Sequence, residues 1–316
     1  MGYLFALIAA LLFGANGSVT KVVIEGGLSP LQLTQFRVVG CCLIAGIVLF
    51  FVDRSAFRLT RRQLLVMALL GVFGVAILQA SYAAAIQLLP VGIALLFEYT
   101  GVLLVALIAY FFLHEQVRAR LWIAIACVLV GLAIVAQVWA SSLNPLGVVF
   151  ALVAAASLAM YFLVGERQVG ATSPLSVAFY TMGFASIFWA FLSGWWQLSP
   201  ASLAAPVSLG GSLAAVVVPL WAPLAFNVVV GTFLAFLFSL LALRRLTATA
   251  AGITASSEVI FAFLVAWLWL GEELTPLQLV GAAVVLAGIV LAQSARADKV
   301  IDADLALPSS NVGTPG

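Results

Sequence analysis

Residues 90–115, PVGIALLFEYTGVLLVALIAYFFLHE, form an almost wholly apolar run with one carboxylate, Glu98, well inside it. About 20 apolar residues span the hydrocarbon core of a bilayer, so a run of this length predicts a membrane-crossing helix. A carboxylate at that depth costs at least about 2–3 kcal/mol, and such groups face a partner or a wet cavity. A counterpart, GITASSEVIFAFLVAWLWLGE, lies at 252–272. In both stretches a Gly-Ile pair precedes the buried acid by the same interval, Gly92 to Glu98 and Gly252 to Glu258. The first ends at His114-Glu115 and the second at Gly271-Glu272. One buried glutamate is readily a hydrogen-bonded packing residue; two at matching places point to use.

Composition sets the class. The chain is 65% hydrophobic and 8% charged, with a mean hydropathy of +1.26, against roughly 25% charge in soluble domains. The apolar runs do not alternate as barrel strands do, which leaves an all-α integral membrane protein. The net charge of +2 implies no nucleic-acid partner, because the basic residues are spread over membrane-edge loops. Cys41, Cys42 and Cys127 fall in apolar runs, without metal-ligand spacing and in an odd number, and read as small packing residues. The N-terminal run lacks a basic start, so it reads as a retained first helix and not a cleaved signal.

Ten spans can be read, at 3–20, 31–51, 64–86, 91–113, 121–140, 147–164, 175–196, 222–243, 248–270 and 277–292. The longest connection, 197–221, carries Pro200, Pro206 and Pro219 and is flanked by Trp195, Trp196 and Trp221. Those tryptophans suit the membrane–water interface or, as an alternative, a substrate-stacking role. The tail, 294–316, is polar and ends in Pro, Ser and Gly, a composition that favours disorder. With both termini in the cytoplasm, Arg54, Arg58, Arg61, Arg62, Arg118, Arg120, Arg167, Arg244, Arg245, Arg296 and Lys299 all lie inside. Only Lys21 and Arg37 of the 13 basic residues then sit at outer helix ends, a strong positive-inside bias.

The two halves, 1–140 and 145–293, are related. Residues 2–10 match 147–155 at six of nine positions, Ser29-Pro30-Leu31 matches Ser173-Pro174-Leu175, and Glu115 and Glu272 each precede a glycine (Gly131, Gly288) by sixteen residues. Five spans per half is odd, so the second copy enters from the opposite side. That is an inverted repeat, the architecture of many alternating-access carriers.

These features resemble the drug/metabolite transporter superfamily, EamA family. The resemblance rests on Gly-Ala-Asn with Lys21 closing span one, Ser29-Pro30 with Arg37, the 245–258 stretch RLTATAAGITASSE, and Leu270-Gly-Glu-Glu-Leu-Thr-Pro-Leu-Gln278 with Gly281, across residues 1–293. The 89–101 stretch, LPVGIALLFEYTG, is similar to the threonine/homoserine exporter branch. That resemblance implies export of small amino acids or related metabolites across the inner (plasma) membrane, with no cofactor. The chain departs from the family where a proline usually comes after the buried acid: Val102 follows Glu-Tyr-Thr-Gly, and Val259 follows Glu258.

No enzyme constellation competes. The sole histidine, His114, sits at a helix end, no Gly-Lys-Ser/Thr run appears, and no aspartate lies inside a span, so zinc, triad and ATP chemistry lack their residues. What remains is a thin set of polar groups in apolar helices. Candidate substrate-binding residues are Asn16, Gln79, Tyr82, Glu98, Tyr99, Tyr161 and Asn227. For the three amides, cavity lining stands beside an interhelical hydrogen bond; for the tyrosines, beside packing with the hydroxyl on a carbonyl. Arg37 and Glu98 lie at similar depth and are expected to pair, which would keep Glu98 ionised; headgroup snorkelling is the alternative for Arg37. Aligning the two Ser-Pro motifs puts Thr181 opposite Arg37, so Glu258 lacks an equivalent cation and is the candidate proton carrier, with Arg37 the other coupling residue. The reading is a small-solute carrier. Its alternatives are a carrier for another metabolite or amphiphile, a channel-like facilitator, and a membrane enzyme or assembly factor.

Overall fold

The computed structural model describes residues 1–52, 54–112, 120–136, 143–246, 251 and 254–294. Among the residues named so far, His114, Glu115, Arg118, Gly252, Arg296 and Lys299 lie outside them, as does the chain from 295 on.

The described helices are α1 (Gly2–Glu25), α2 (Pro30–Val52), α3 (Arg61–Leu88), α4 (Val91–Glu98), α5 (Gly101–Phe112), α6 (Arg120–Ala136), α7 (Pro145–Ala171), α8 (Pro174–Ala190), α9 (Pro200–Ala204), α10 (Trp221–Leu243), α11 (Ser257–Leu270) and α12 (Pro276–Ser294). By length and composition α1, α2, α3, α7 and α10 are each able to cross a membrane. Leu43, Ile47, Phe51, Leu129, Ile187 and Trp267 are exposed, while Asn16, Arg37, Glu98, Asn227 and Thr232 are buried. Polar side chains inside and large apolar ones outside suit a bilayer as solvent.

The helix starts are written in short motifs. Ser29 accepts the Gln32 N–H while Gln32 Oε1 accepts the Ser29 N–H, a reciprocal cap for α2. Thr60 with Gln63 does the same for α3, and Thr275 with Gln278 for α12. Asn144 and Ser173 cap α7 and α8, each with proline at the first helical position.

The helix interiors are not uniform. Wider π-type turns occupy Leu70–Ala76 in α3 and Val229–Leu234 in α10. The chain also turns at Tyr99–Thr100, between α4 and α5, and again at Ser256, just ahead of α11. The interruptions lie beside buried Glu98 and half-buried Glu258, although no proline follows either acid. Thr100 holds the first with its own hydroxyl, which donates to Phe97 O at 2.6 Å. Helix α8 ends at Ala190, short of Trp196 where sequence hydropathy places the span end. The 195–220 connection is structured by α9 and a two-stranded antiparallel ribbon, β1 (Pro206–Ser208) and β2 (Val217–Pro219).

Packing obeys an exchange rule. Helix α1 packs on α10 and α11, and its counterpart α7 packs on α3, α4 and α5; α2 packs on α8, and α6 on α12. The α6–α12 crossing is reciprocal at the residue level. A methyl at Gly131 would meet Val285 and Gly281 O, and one at Gly288 would meet Val128 and Ala124 O. Each glycine therefore sits on the same relative positions of the facing helix, as a local two-fold requires. Glycine there lets the backbones approach.

Candidate functional site

Six helices leave a cavity of about 90 Å³ in the interior. Helix α1 contributes Ala6, Ala9, Ala10 and Phe13; α3 contributes Val75, Leu78 and Gln79; Glu98 and Tyr99 come from the end of α4. From the second half come Leu158, Tyr161 and Phe162 of α7, Phe236, Ser239 and Ala242 of α10, and Ala251, Ala255 and Glu258 at the start of α11. The small alanines make the room, and the wider turns in α3 and α10 lie next to the segments that line it. The cavity is set toward the face where α1 begins and α10 ends. There Gly2 packs on Arg245 and Leu246.

Two carboxylates from different halves face this space. Glu258 Oε2 accepts the Tyr99 hydroxyl at 2.7 Å. Glu258 also stands in the first turn of α11, where the helix N-terminus favours negative charge. Glu98 ends α4, at the opposite pole of a helix, and its buried Oε2 has no hydrogen-bond partner among the described residues. The Tyr161 hydroxyl pairs with Ser239 Oγ at 2.9 Å. Gln79 offers a buried Oε1 without a partner among the described residues, while its amide group lies 3.8 Å from Met182 Sδ. Among the described residues, none that lines the cavity is Lys, Arg or His.

Of the residues picked from sequence, the structure brings Gln79, Glu98, Tyr99, Tyr161 and Glu258 to the cavity wall. Asn16, Tyr82 and Asn227 are packed behind it. Asn16 lies against Gly231, where a Cβ would strike its amide, and the Tyr82 hydroxyl lies against Gly17. Asn227 Nδ2 donates to Thr20 Oγ1 at 2.8 Å. The expected Arg37–Glu98 ion pair is not formed: no contact within 4.0 Å joins them. Arg37 Nε donates instead to Thr232 Oγ1 at 2.9 Å, and Thr232 donates on to Asn227 O at 2.8 Å. That second bond reaches back five residues, the reach of the widened turn. The wider turn brings Thr232 to Arg37, and similar depth alone did not decide which neighbour α2 would present its arginine to.

The wall residues missed in sequence are Ser239, the aromatic trio Phe13, Phe162 and Phe236, the aliphatic Val75, Leu78 and Leu158, and the alanines. Ser239 follows Gln79 by the same 160 residues that separate Glu98 from Glu258, so the repeat offset was the usable signal. Among the described residues no cluster of three His, Cys, Asp or Glu is placed to hold a metal ion.

The EamA-like transporter family matches residues 1–137 and 145–293, in two segments. The chain belongs to the EamA-like transporter family. Members of that family are membrane transporters of small solutes, and with the long apolar helices the membership indicates a multi-pass membrane protein. A comparison with curated proteins gives no match. Among solved structures, 29 chains match. One, described only as a crystal structure of a protein, superposes with a TM-score of 0.63 at 18% identity, over 94% of this chain and 98% of its own. At that identity the likeness speaks for the fold.

Proposed function

We propose that this EamA-like protein is a secondary carrier that exports small amine-bearing metabolites, amino acids and related compounds, across the cell membrane. The scheme has ten spans in two inverted five-helix repeats, 1–140 and 145–293, which alternate access to a central site. The reciprocal α6–α12 crossing supports the inversion. The arginines at 54, 58, 61, 62, 167, 244 and 245 support cytoplasmic termini by the positive-inside rule. Export, and the threonine/homoserine branch, rest on the motif resemblance.

The observation that carries the reading is the one cavity walled by Glu98 of one half and Glu258 of the other. Two carboxylates facing one small space repel when both are ionised, and either a proton or an ammonium group relieves that repulsion. A site that holds one or the other couples solute to proton movement. One charge crossing about 100 mV supplies about 2.3 kcal/mol. At about 1.4 kcal/mol per tenfold, that supports roughly a fortyfold gradient. Tyr99, hydrogen-bonded to Glu258, passes the state of one half to the other, and Glu258 is the proposed proton carrier.

A second reading comes from the described lining residues, which include no cation. With alanine and phenylalanine walls, the cavity also suits an amine with an apolar body and no carboxylate. Counterflow in proteoliposomes separates the two. Threonine, homoserine, leucine and phenylalanine would each be tested as trans-substrate against phenethylamine. Trans-stimulation by the amino acids supports the first reading; stimulation by phenethylamine alone selects the second. Uptake without any trans-stimulation would mark a channel-like facilitator and refute the carrier.

A further inference from the structure

At the face opposite the cavity mouth, α1, α4 and α11 converge on one carboxylate. Lys21, one turn from the end of α1, forms an ion pair with Glu272 Oε1. The other oxygen, Oε2, accepts the Val91 N–H at 3.0 Å. Val91 opens α4, so its N–H has no partner within the helix and the acid caps it. Glu272 is placed by Gly271, whose φ of +69° ends α11 in a left-handed turn, and Glu272 N donates back to Ala266 O at 3.2 Å. Residues 21 and 91 belong to the first family segment and 272 to the second. A single side chain thus ties the two halves together.

On the α1 and α4 side of the pair the packing is tight, while a groove of about 420 Å³ lined by Phe263, Trp267 and Leu279 adjoins Glu272 from the other side. A Cβ on Gly17 would lie 2.6 Å from both the Tyr82 hydroxyl and Val91, and one on Gly92 would strike the Phe263 ring. The ribbon connection covers the end of α11: Ser212 Oγ donates to Leu268 O at 3.1 Å, and Trp269 Nε1 donates to Leu209 O at 3.1 Å. Gly211, at φ +49°, lets the ribbon lie against the Trp269 carbonyl, where a Cβ has no room. The same α1 and α11 part toward the other face to form the cavity.

We propose that the Lys21–Glu272 pair, with the Val91 N–H, is the latch that closes this face of the transport path and must open for solute to leave. In the proposed orientation this is the outer face. The chemistry fits a gate. An ion pair with side chains 25% and 14% exposed exchanges its partner for water at small net cost, unlike an interdigitated apolar seam. This rests on the carrier reading, and the test separates the two.

In a background with Cys41, Cys42 and Cys127 replaced, Ser239→Cys reports cavity access to a membrane-impermeant thiol reagent added from the ribbon side. Adding Glu272→Gln should speed labelling about tenfold, and the swap Lys21→Glu with Glu272→Lys should slow it again only part of the way, because the swapped pair restores the ion pair but its lysine cannot accept the Val91 N–H. In a second variant, Lys21→Cys with Glu272→Cys is bridged by a short reducible bifunctional thiosulfonate. Bridging should stop solute exchange, and reductant should restore it in the same sample. Labelling indifferent to Glu272→Gln, or full exchange by the bridged protein, overturns the latch. Labelling needs no solute, so a latch response with a silent solute panel upholds the gate and sinks the solute assignment.

Discussion

Alanine at Gly131 or Gly288 probes the helix crossing that relates the two halves. A Cβ at 131 would lie 2.7 Å from Val285 Cγ2, 2.8 Å from Gly281 O and 2.9 Å from Val285 N; at 288, 2.7 Å from Val128 Cγ2 and 2.9 Å from Ala124 O. Ordinary contact begins near 3.4 Å. The valines can rotate away, but the carbonyl oxygens cannot, so α6 and α12 must part by roughly 0.6 Å against Gly281 O. Overpacking of this kind costs about 1–3 kcal/mol, and the better helix propensity of alanine returns up to about 1 kcal/mol. Each single variant should therefore lose about 1–2 kcal/mol, and by the local two-fold the two losses should agree within about 0.5 kcal/mol. Parting the helices relieves both clashes at once, so the double variant should lose less than the sum, by at least about 0.5 kcal/mol. Equilibrium unfolding in mixed detergent micelles, read by tryptophan fluorescence, measures all three. Single variants as stable as the parent, or a strictly additive double, would refute the reciprocal close-contact crossing.

Gly170→Ala is the matched control: nothing lies within 4 Å of the added Cβ, so the same unfolding assay should show a change under about 0.5 kcal/mol or a gain. Thr232→Val removes the acceptor for Arg37 and should cost about 1.5–3 kcal/mol, as hydrogen bonds to charged groups do. Adding Arg37→Met to Thr232→Val should recover part of that loss in the same assay, because the unpartnered buried charge goes with it. In a cysteine-free background, Ser202→Cys should react with an impermeant thiol reagent outside intact cells and Ser55→Cys should not; outside labelling at 55 would overturn the orientation.

Much of the scaffold was legible because a bilayer leaves few options. Long apolar runs can only be helices there, and Ser29-Pro30, Ser173-Pro174 and Thr275-Pro276 mark helix starts with their own side chains. Glu98, Gln79 and Tyr99 stood out because polar groups in such runs need a destination. Three things were not legible. The interruption after Glu98 has no proline behind it; the Thr100 hydroxyl holds the turn, and Tyr99 then reaches Glu258 across 159 residues of chain. Each π-type turn holds an extra residue and rotates the rest of its helix, so helical periodicity could not say that Thr232 faces Arg37 while Asn227 faces Thr20. Lys21 and Glu272 each appeared in a quoted motif, but only the fold brings 251 residues of separation down to an ion pair.

Proton coupling in the proposed carrier turns on Glu258 as the proton-bearing partner of the cavity. Glu258→Gln mimics the protonated side chain and cannot release a proton. In proteoliposomes the variant should keep solute exchange in counterflow and lose accumulation driven by an imposed proton gradient, which the parent protein should show. Accumulation by the variant against a solute gradient at the parent's rate would contradict that role for Glu258.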